Sequence, residues 1–399
     1  MTATRGTQKF TAYRAYRADP KDWYSDEEIQ KADEYNKPLR TVSRIVKVVD
    51  LAIVLAIIGF QVVPKLLDAL NISNWVLGVL VAMAVLILAD QVTGIPVSRW
   101  RQLNYDKKWG FSTQTNKQWW TDLLKGIPLG IVIGSALMLP LWWLIRTTEL
   151  WWVWGGLVLV VFAIVFATLF PVLIAPLFNK YTPLEDGPLR EAVFETARKV
   201  EADISDVLVE DSSKRDSRGN AYVAGLGKTR RVVIYDTMLG ESHDKLMSVV
   251  AHELGHWKLR HLVTRIPLVG LIGFLSFFLL KFILESEALQ DFAGVESIGD
   301  PGFFPVFYVA FPLVSTLTGL LGSWLSRVHE RQADLFSMEA LGNGKSLSDA
   351  FAMMSRKYLM DVTPTWWKRI NHSHPPFAER MAMCTHWHEA HAGASTSRQ

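Results

Sequence analysis

His252 and His256 flank a carboxylate in the string His252-Glu253-Leu254-Gly255-His256. On an α-helix, residues four apart differ by about 40° of rotation, so both imidazoles leave one face and can present two nitrogens to a single Zn²⁺. Glu253 stands beside them, near enough to take a proton from a metal-bound water without ligating the metal. Such a site needs a third protein ligand and an open position, and a carboxylate often completes a pair of helical histidines. Glu330 and Asp334 stand four apart just after a long apolar stretch. Alone they read as a solvated helix face balanced by Arg327 and Arg331. Because the histidine pair demands a ligand, Glu330 is assigned to zinc and Asp334 to a hydrogen bond that orients a ligand imidazole.

Several elements must position these groups. After Gly240, Ser242 is an N-cap candidate with Asp244 in the first turn, and the helix it opens should run through His256 toward the next apolar stretch. Upstream, Leu189–Val200 has helical spacing and Asp206–Glu210 reads as a short strand. Tyr222–Ala224 and Val232–Tyr235 are β-rich runs joined by the turn-prone Gly225-Leu226-Gly227-Lys228, a hairpin pattern. The segment Asn220–Gly225, opening with Asn220, Ala221 and Tyr222, precedes a strand and reads as a sheet edge to which an extended peptide can add as another strand. His374 is followed by Pro375 and Pro376, which prevent helix, so a loop can hold its imidazole toward an oxyanion. His261, His329, His386, His388 and His391 are expected to be unliganded.

The rest of the chain places this chemistry in a membrane. Its 399 residues are 50% hydrophobic and 20% charged with 16 Trp, too apolar for disorder or a coiled coil. The lone Cys384 excludes an internal disulfide or a Cys-rich zinc cage, and a net charge of +3 does not announce a nucleic-acid partner. Six apolar blocks approach the ~20 residues that cross a bilayer: Val46–Val63, Ile72–Leu88, Ile127–Ile145, Leu150–Leu177, Leu262–Leu280 and Phe303–Leu325. Lys and Arg collect in Met1 to Arg44, in the loop holding Arg99, Arg101, Lys107 and Lys108, and in the segment after the fourth block. Glu285 to Asp300 carries no Lys or Arg, so both termini and the candidate active site are expected in the cytoplasm. The polar N-terminus has no signal-peptide pattern.

The expected architecture is mainly α: a polytopic α-helical membrane protein of about six transmembrane helices with a split zincin-type catalytic domain carrying a small β-sheet. Its parts are a polar N-terminal segment (1–45), four spans (46–178), the first catalytic part (179–261), two spans with an acidic external loop (262–326) and the second catalytic part with a polar tail (327–399).

The chain resembles the integral-membrane type I CAAX prenyl endopeptidases, a zinc metalloprotease family. The likeness lies in Pro176-Leu177-Phe178-Asn179-Lys180-Tyr181, Asn220-Ala221-Tyr222, Ile234-Tyr235-Asp236-Thr237, His252 to Lys258, Glu330 to Asp334, and Ser373-His374-Pro375-Pro376 with Arg380. Trp109 to Thr115 is similar to a further family stretch, with Ser and Thr where Asn and Lys are usual. The resemblance runs from about Asp22 to about Arg380. It implies one zinc held by His252, His256 and Glu330, Glu253 as general base, Asn220 pairing with the substrate backbone, and His374 and Arg380 stabilising the reaction centre. It also implies a peptide or protein substrate, C-terminally prenylated, met at a lipid bilayer. The membrane would be the endoplasmic reticulum in a eukaryote and the plasma membrane in a bacterium. Met1 to Arg44 is polar where the family usually has an additional span, so six spans are expected instead of seven. Two other readings fit the same residues: a quality-control metalloprotease degrading misfolded membrane proteins, and a non-enzymatic membrane protein with structural zinc.

Overall fold

The structure is a computed structural model and describes residues 11–225 and 230–395. The first ten residues of the polar N-terminal segment, Leu226-Gly227-Lys228 of the expected turn and the end of the tail lie outside the described residues. The chain divides into two compact units. One comprises Pro38–Ala167 and Ile266–Gly322, the other Met1–Lys37, Thr168–Arg265 and Ser323–Gln399.

In chain order, the helices that supply the first unit are α1 (Asp26–Gly59), α2 (Val62–Ala69), α3 (Trp75–Trp100), α4 (Asn116–Thr147) and α5 (Trp151–Leu169). Among the described residues, five helices are long and apolar enough to cross a membrane, or six if α1 and α2, bent by 50°, form one broken span. The break interrupts the expected first span at Phe60 and Gln61, and Gln61 adopts a left-handed φ of 54°. Pro64 explains it, because a proline has no N–H to give to the carbonyl of Phe60 four residues back. Expected spans and observed helices differ most at their polar ends. Helix α4 begins at Asn116, eleven residues before the apolar block at Ile127, because Thr115 and Gln118 form a reciprocal capping box there. The core of this unit gathers Trp142, Trp151, Phe277, Phe303 and Phe307. The buried Trp142 indole satisfies its N–H by donating to the Gly299 carbonyl at 3.1 Å. Outward-facing Leu157, Val161, Ile164, Leu313 and Leu317 are exposed in the chain alone, as suits contact with lipid.

The second unit holds the chemistry. Its sheet contains β1 (Tyr181–Pro183), β2 (Asp206–Glu210), β3 (Ala221–Ala224) and β4 (Arg231–Tyr235), in the order β1-β2-β4-β3. Helix α6 (Pro188–Lys199) lies between β1 and β2 in sequence. The β3–β4 pairing is antiparallel, as the hairpin pattern anticipates, while β2 runs parallel to β4. Strand β1 escapes sequence reading: three residues ending in proline carry no alternation.

Helix α7 (His243–Lys258) carries the HExxH string. It packs with α6 against the sheet through Val193, Ala197, Val207, Val232, Ile234, Leu246, Val250 and Leu254. Each such buried aliphatic contributes about 1.5–3 kcal/mol. Ser242 stands at the cap position in extended conformation, but its side chain makes no capping hydrogen bond.

Helix α8 (His261–Leu284) follows after a break, so α7 does not run on into the fifth span. Then come α9 (Glu287–Ala293), α10 (Phe304–Leu341), α11 (Gly344–Lys357), α12 (Trp366–Asn371) and α13 (Phe377–Ser395). The end of α10 from Ser323 onward belongs to the second unit. It is locked to α7 there by a buried hydrogen bond from Ser337 Oγ to the Ser248 carbonyl, 2.7 Å. Gly255 allows the approach: a Cβ at that position would lie 2.9 Å from the Phe336 ring. The glycine inside the histidine motif therefore sets how near α10 can bring its carboxylates.

Candidate metal centre

One face of α7 carries His252 and His256, and α10 brings Glu330 to them. His252 Nε2 and His256 Nε2 are 3.1 Å apart. The Glu330 oxygens lie 3.5 Å from the first nitrogen and 3.4 Å from the second. These are the only three residues whose donor atoms cluster in metal-binding fashion among the described residues. A tetrahedral ion with bonds of about 2.0–2.1 Å holds its ligand atoms about 3.3–3.4 Å from one another; one donor atom from each of the three residues lies within 4.8 Å of the others, so the cluster can close on one small divalent cation. Glu330 is 4% exposed, and its Oε2 has no hydrogen-bond partner among the described residues. Its nearest polar neighbours, His252 Nε2 and Arg380 Nη2, stand 3.5 Å away, longer than a good hydrogen bond, so a bound cation would satisfy this oxygen better.

The surroundings favour positive charge at this point. Burial works against a charged His252, yet the carboxylates of Asp334 and Glu330 outweigh it and push its imidazole up to about 10. Asp334, wholly buried, puts Oδ1 2.9 Å from His252 Nδ1, at ion-pair distance but without the N–H direction of a good hydrogen bond. Arg380 on α13 is buried too. Its Nε and Nη2 donate to the two Asp334 oxygens at 2.9 and 2.6 Å, and its guanidinium lies 3.9 Å over the Phe351 ring. It is also 3.5 Å from Glu330.

His374 stands in the loop before α13, its side chain about half exposed, with Nε2 3.3 Å from Glu330 Oε1 and Nδ1 2.8 Å from the Ser373 hydroxyl. Burial of its ring holds it below the ordinary histidine range. Glu253 is partly buried beside the two histidines, and that burial raises its carboxyl above the usual carboxylate range.

Of the residues singled out in the sequence, His252, Glu253, His256, Glu330, Asp334, His374 and Arg380 thus gather at one place. Asn220, Ala221 and Tyr222 lie at the free edge of the sheet. Asn220 accepts from Tyr235 N at 2.9 Å, so in the antiparallel ladder Asn220 and Tyr222 turn their backbone groups toward β4. Ala221 and Val223 turn theirs outward. Val223 falls within the edge segment expected from the sequence, but which of its residues face outward is invisible until the register is known. The Tyr222 hydroxyl donates to Glu210 at 2.9 Å and so is tied to the sheet. Two further residues join the site in a way the sequence does not show, although His261 is among the histidines expected from the sequence to be unliganded. His261 and Gln332 carry a hydrogen-bond chain to His256, and only the turn after α7 brings them there.

Helical spans together with two histidines of an HExxH helix meeting a buried glutamate of a second helix define a multi-pass membrane metallopeptidase. Residues 10–180 match the family described as CAAX prenyl protease N-terminal, five membrane helices, and residues 183–388 match peptidase family M48. A curated relative from Oryza sativa, CAAX prenyl protease 1 homolog, is 33% identical over 319 residues, covering 78% of this chain and 74% of the relative. CAAX prenyl protease 1 of Saccharomyces cerevisiae is 31% identical over 394 residues, covering 90% and 86%. The crystal structure of S. mikatae Ste24p superposes with a TM-score of 0.80 at 28% identity, covering 94% of this chain and 93% of that one. The chain belongs to the CAAX prenyl protease family of M48 metallopeptidases and is a membrane zinc metalloprotease of that type.

Proposed function

We propose that this chain holds one zinc ion on His252, His256 and Glu330 and removes the C-terminal tripeptide from prenylated proteins at the cytoplasmic face of its membrane. The observation that carries the metal assignment is that His252, His256 and Glu330 bring one donor atom each within 4.8 Å of one another at a largely buried point. The substrate class is supported by relatives named CAAX prenyl protease 1 or CAAX prenyl protease 1 homolog. The orientation is supported by the basic segments flanking the second and fourth apolar blocks. The membrane would be the endoplasmic reticulum in a eukaryotic cell.

When bound, zinc would polarise the scissile carbonyl and make its water a nucleophile at neutral pH. The chain's own groups do the rest. Glu253 accepts the proton of the attacking water and returns it to the leaving amine. His374, half exposed at the edge of the cluster, donates to the developing oxyanion. Arg380 acts one step back: its charge is spent on Asp334 and Glu330, so it fixes Asp334, which in turn holds His252. An extended substrate pairs with the outward carbonyl of Ala221 and the outward groups of Val223, while the Ala221 N–H donates to Asn220 Oδ1 at 3.0 Å and closes that end of the edge.

Asp334→Asn keeps the shape but removes the charge behind His252, and it is expected to weaken zinc by about 10–100-fold, read by chelator competition. Val223→Pro removes one outward N–H from an edge strand without touching the β4 ladder. Its KM should rise by roughly 2–12-fold, the worth of one hydrogen bond, with kcat little changed; an unaltered KM would dismiss strand addition here. To test the substrate, a farnesylated CAAX peptide, its unprenylated twin and an unfolded membrane protein are offered to purified enzyme. Preferential release of the tripeptide from the farnesylated peptide is expected, and faster breakdown of the unfolded protein would favour a quality-control role instead.

A further inference from the structure

Beyond the ligands themselves, we infer that His261 and Gln332 are positioning residues that fix which nitrogen of His256 is left free for the metal. The inference rests on the proposed zinc site. His256 Nε2 faces Glu330 and His252, and its other ring nitrogen, Nδ1, lies 2.9 Å from His261 Nδ1. The opposite nitrogen of His261, Nε2, lies 2.9 Å from Gln332 Oε1.

The direction of the chain follows from what each atom can do. An amide oxygen only accepts, so the proton in the His261–Gln332 bond sits on His261 Nε2. A neutral imidazole with Nε2 protonated offers a lone pair at Nδ1, so the proton in the next bond must sit on His256 Nδ1. His256 is thereby left with a bare Nε2, the form a metal requires. Reversing the Gln332 amide would reverse each bond and place a proton on the ligating nitrogen. Hydrogen-bonded partners of ligand histidines set tautomer and ring orientation in this manner.

Neither ring is free to turn away. His261 is 3% exposed and stacks on His329 with ring centroids 4.0 Å apart and planes 4° from parallel. His329 is itself held, its Nδ1 accepting from Arg265 Nε at 3.3 Å and its Nε2 lying 3.4 Å from the Thr264 hydroxyl. The break after α7 makes the arrangement possible. In an unbroken helix, residues five apart point about 140° away from each other. Arg260 at a φ of 54° redirects the chain so that His261, the first residue of α8, faces back to His256.

The test measures zinc dissociation constants of the purified full-length protein in detergent, by competition with a chromophoric chelator. The parent is compared with His261→Phe, Gln332→Met, Gln332→Glu and Glu330→Ala, with helicity by circular dichroism as a check on folding. His261→Phe and Gln332→Met should each bind zinc about 10–100-fold more weakly than the parent. Gln332→Glu, which can only accept, should match the parent, a rescue that no general disturbance of packing produces. Parent-like zinc binding by folded Gln332→Met, or equal weakness of Gln332→Met and Gln332→Glu, would overturn the inference. If Glu330→Ala also bound zinc as the parent does, the ligand assignment itself would fall, and the two failures are distinguished by that variant.

Discussion

Glu253→Gln is expected to leave zinc bound at one ion per chain while kcat falls by about 10²–10⁴-fold, the range that a positioned general base supplies. The substitution is nearly isosteric and Glu253 is not among the three clustered ligands, so the metal content has no reason to change. What changes is proton traffic. A carboxylate beside His252 and His256 can take a proton from water and give it up within one turnover, and a carboxamide cannot. Since substrate contacts lie elsewhere, KM should move little, the pattern of a group needed in the transition state alone. Purified protein assayed with a farnesylated reporter peptide, with zinc measured on the same sample, gives both numbers. Parent-like turnover would remove Glu253 from the mechanism.

The second large effect is loss of the metal. Glu330→Ala should reduce zinc to well below one ion per chain and abolish activity, with affinity weakened by more than the ~100-fold ceiling typical of groups outside the ligand shell. The reason extends beyond a missing ligand atom. Glu330 is the carboxylate around which His252, His256, His374 and Arg380 gather, all within 3.5 Å. Removing it leaves the buried Arg380 guanidinium and His252 imidazole with only Asp334 to balance them. Breaking a buried pair in this way costs about 3–5 kcal/mol of stability, so a lowered melting temperature should accompany the metal loss. Full zinc occupancy in this variant would exclude Glu330 as a ligand.

These two variants separate the chemistry into parts that the chain encodes at different ranges. The histidine pair and Glu253 are neighbours within little more than one turn of one helix, so their spacing alone announces them. Glu330 lies far off in sequence and was reached only by the requirement that a carboxylate complete the set. Arg380 shows where such reasoning stops: a buried guanidinium tied to Asp334 looks no different in the sequence from one aimed at substrate. The spans divide likewise. Apolar blocks locate their centres, but their polar ends at Asp26 and Asn116, and the break at Phe60 and Gln61, depend on caps and on Pro64.

By itself, the sequence determined that apolar helices cross a membrane and that two histidines, a base and a distant carboxylate could share one ion, because helical periodicity and hydropathy are local properties. The tertiary structure alone decided which backbone groups of β3 face outward, how closely Gly255 lets α10 approach, and that His261 turns back to His256. Each of these depends on strand register, interhelical distance or a single left-handed residue, and none of them leaves a periodic trace in the order of amino acids.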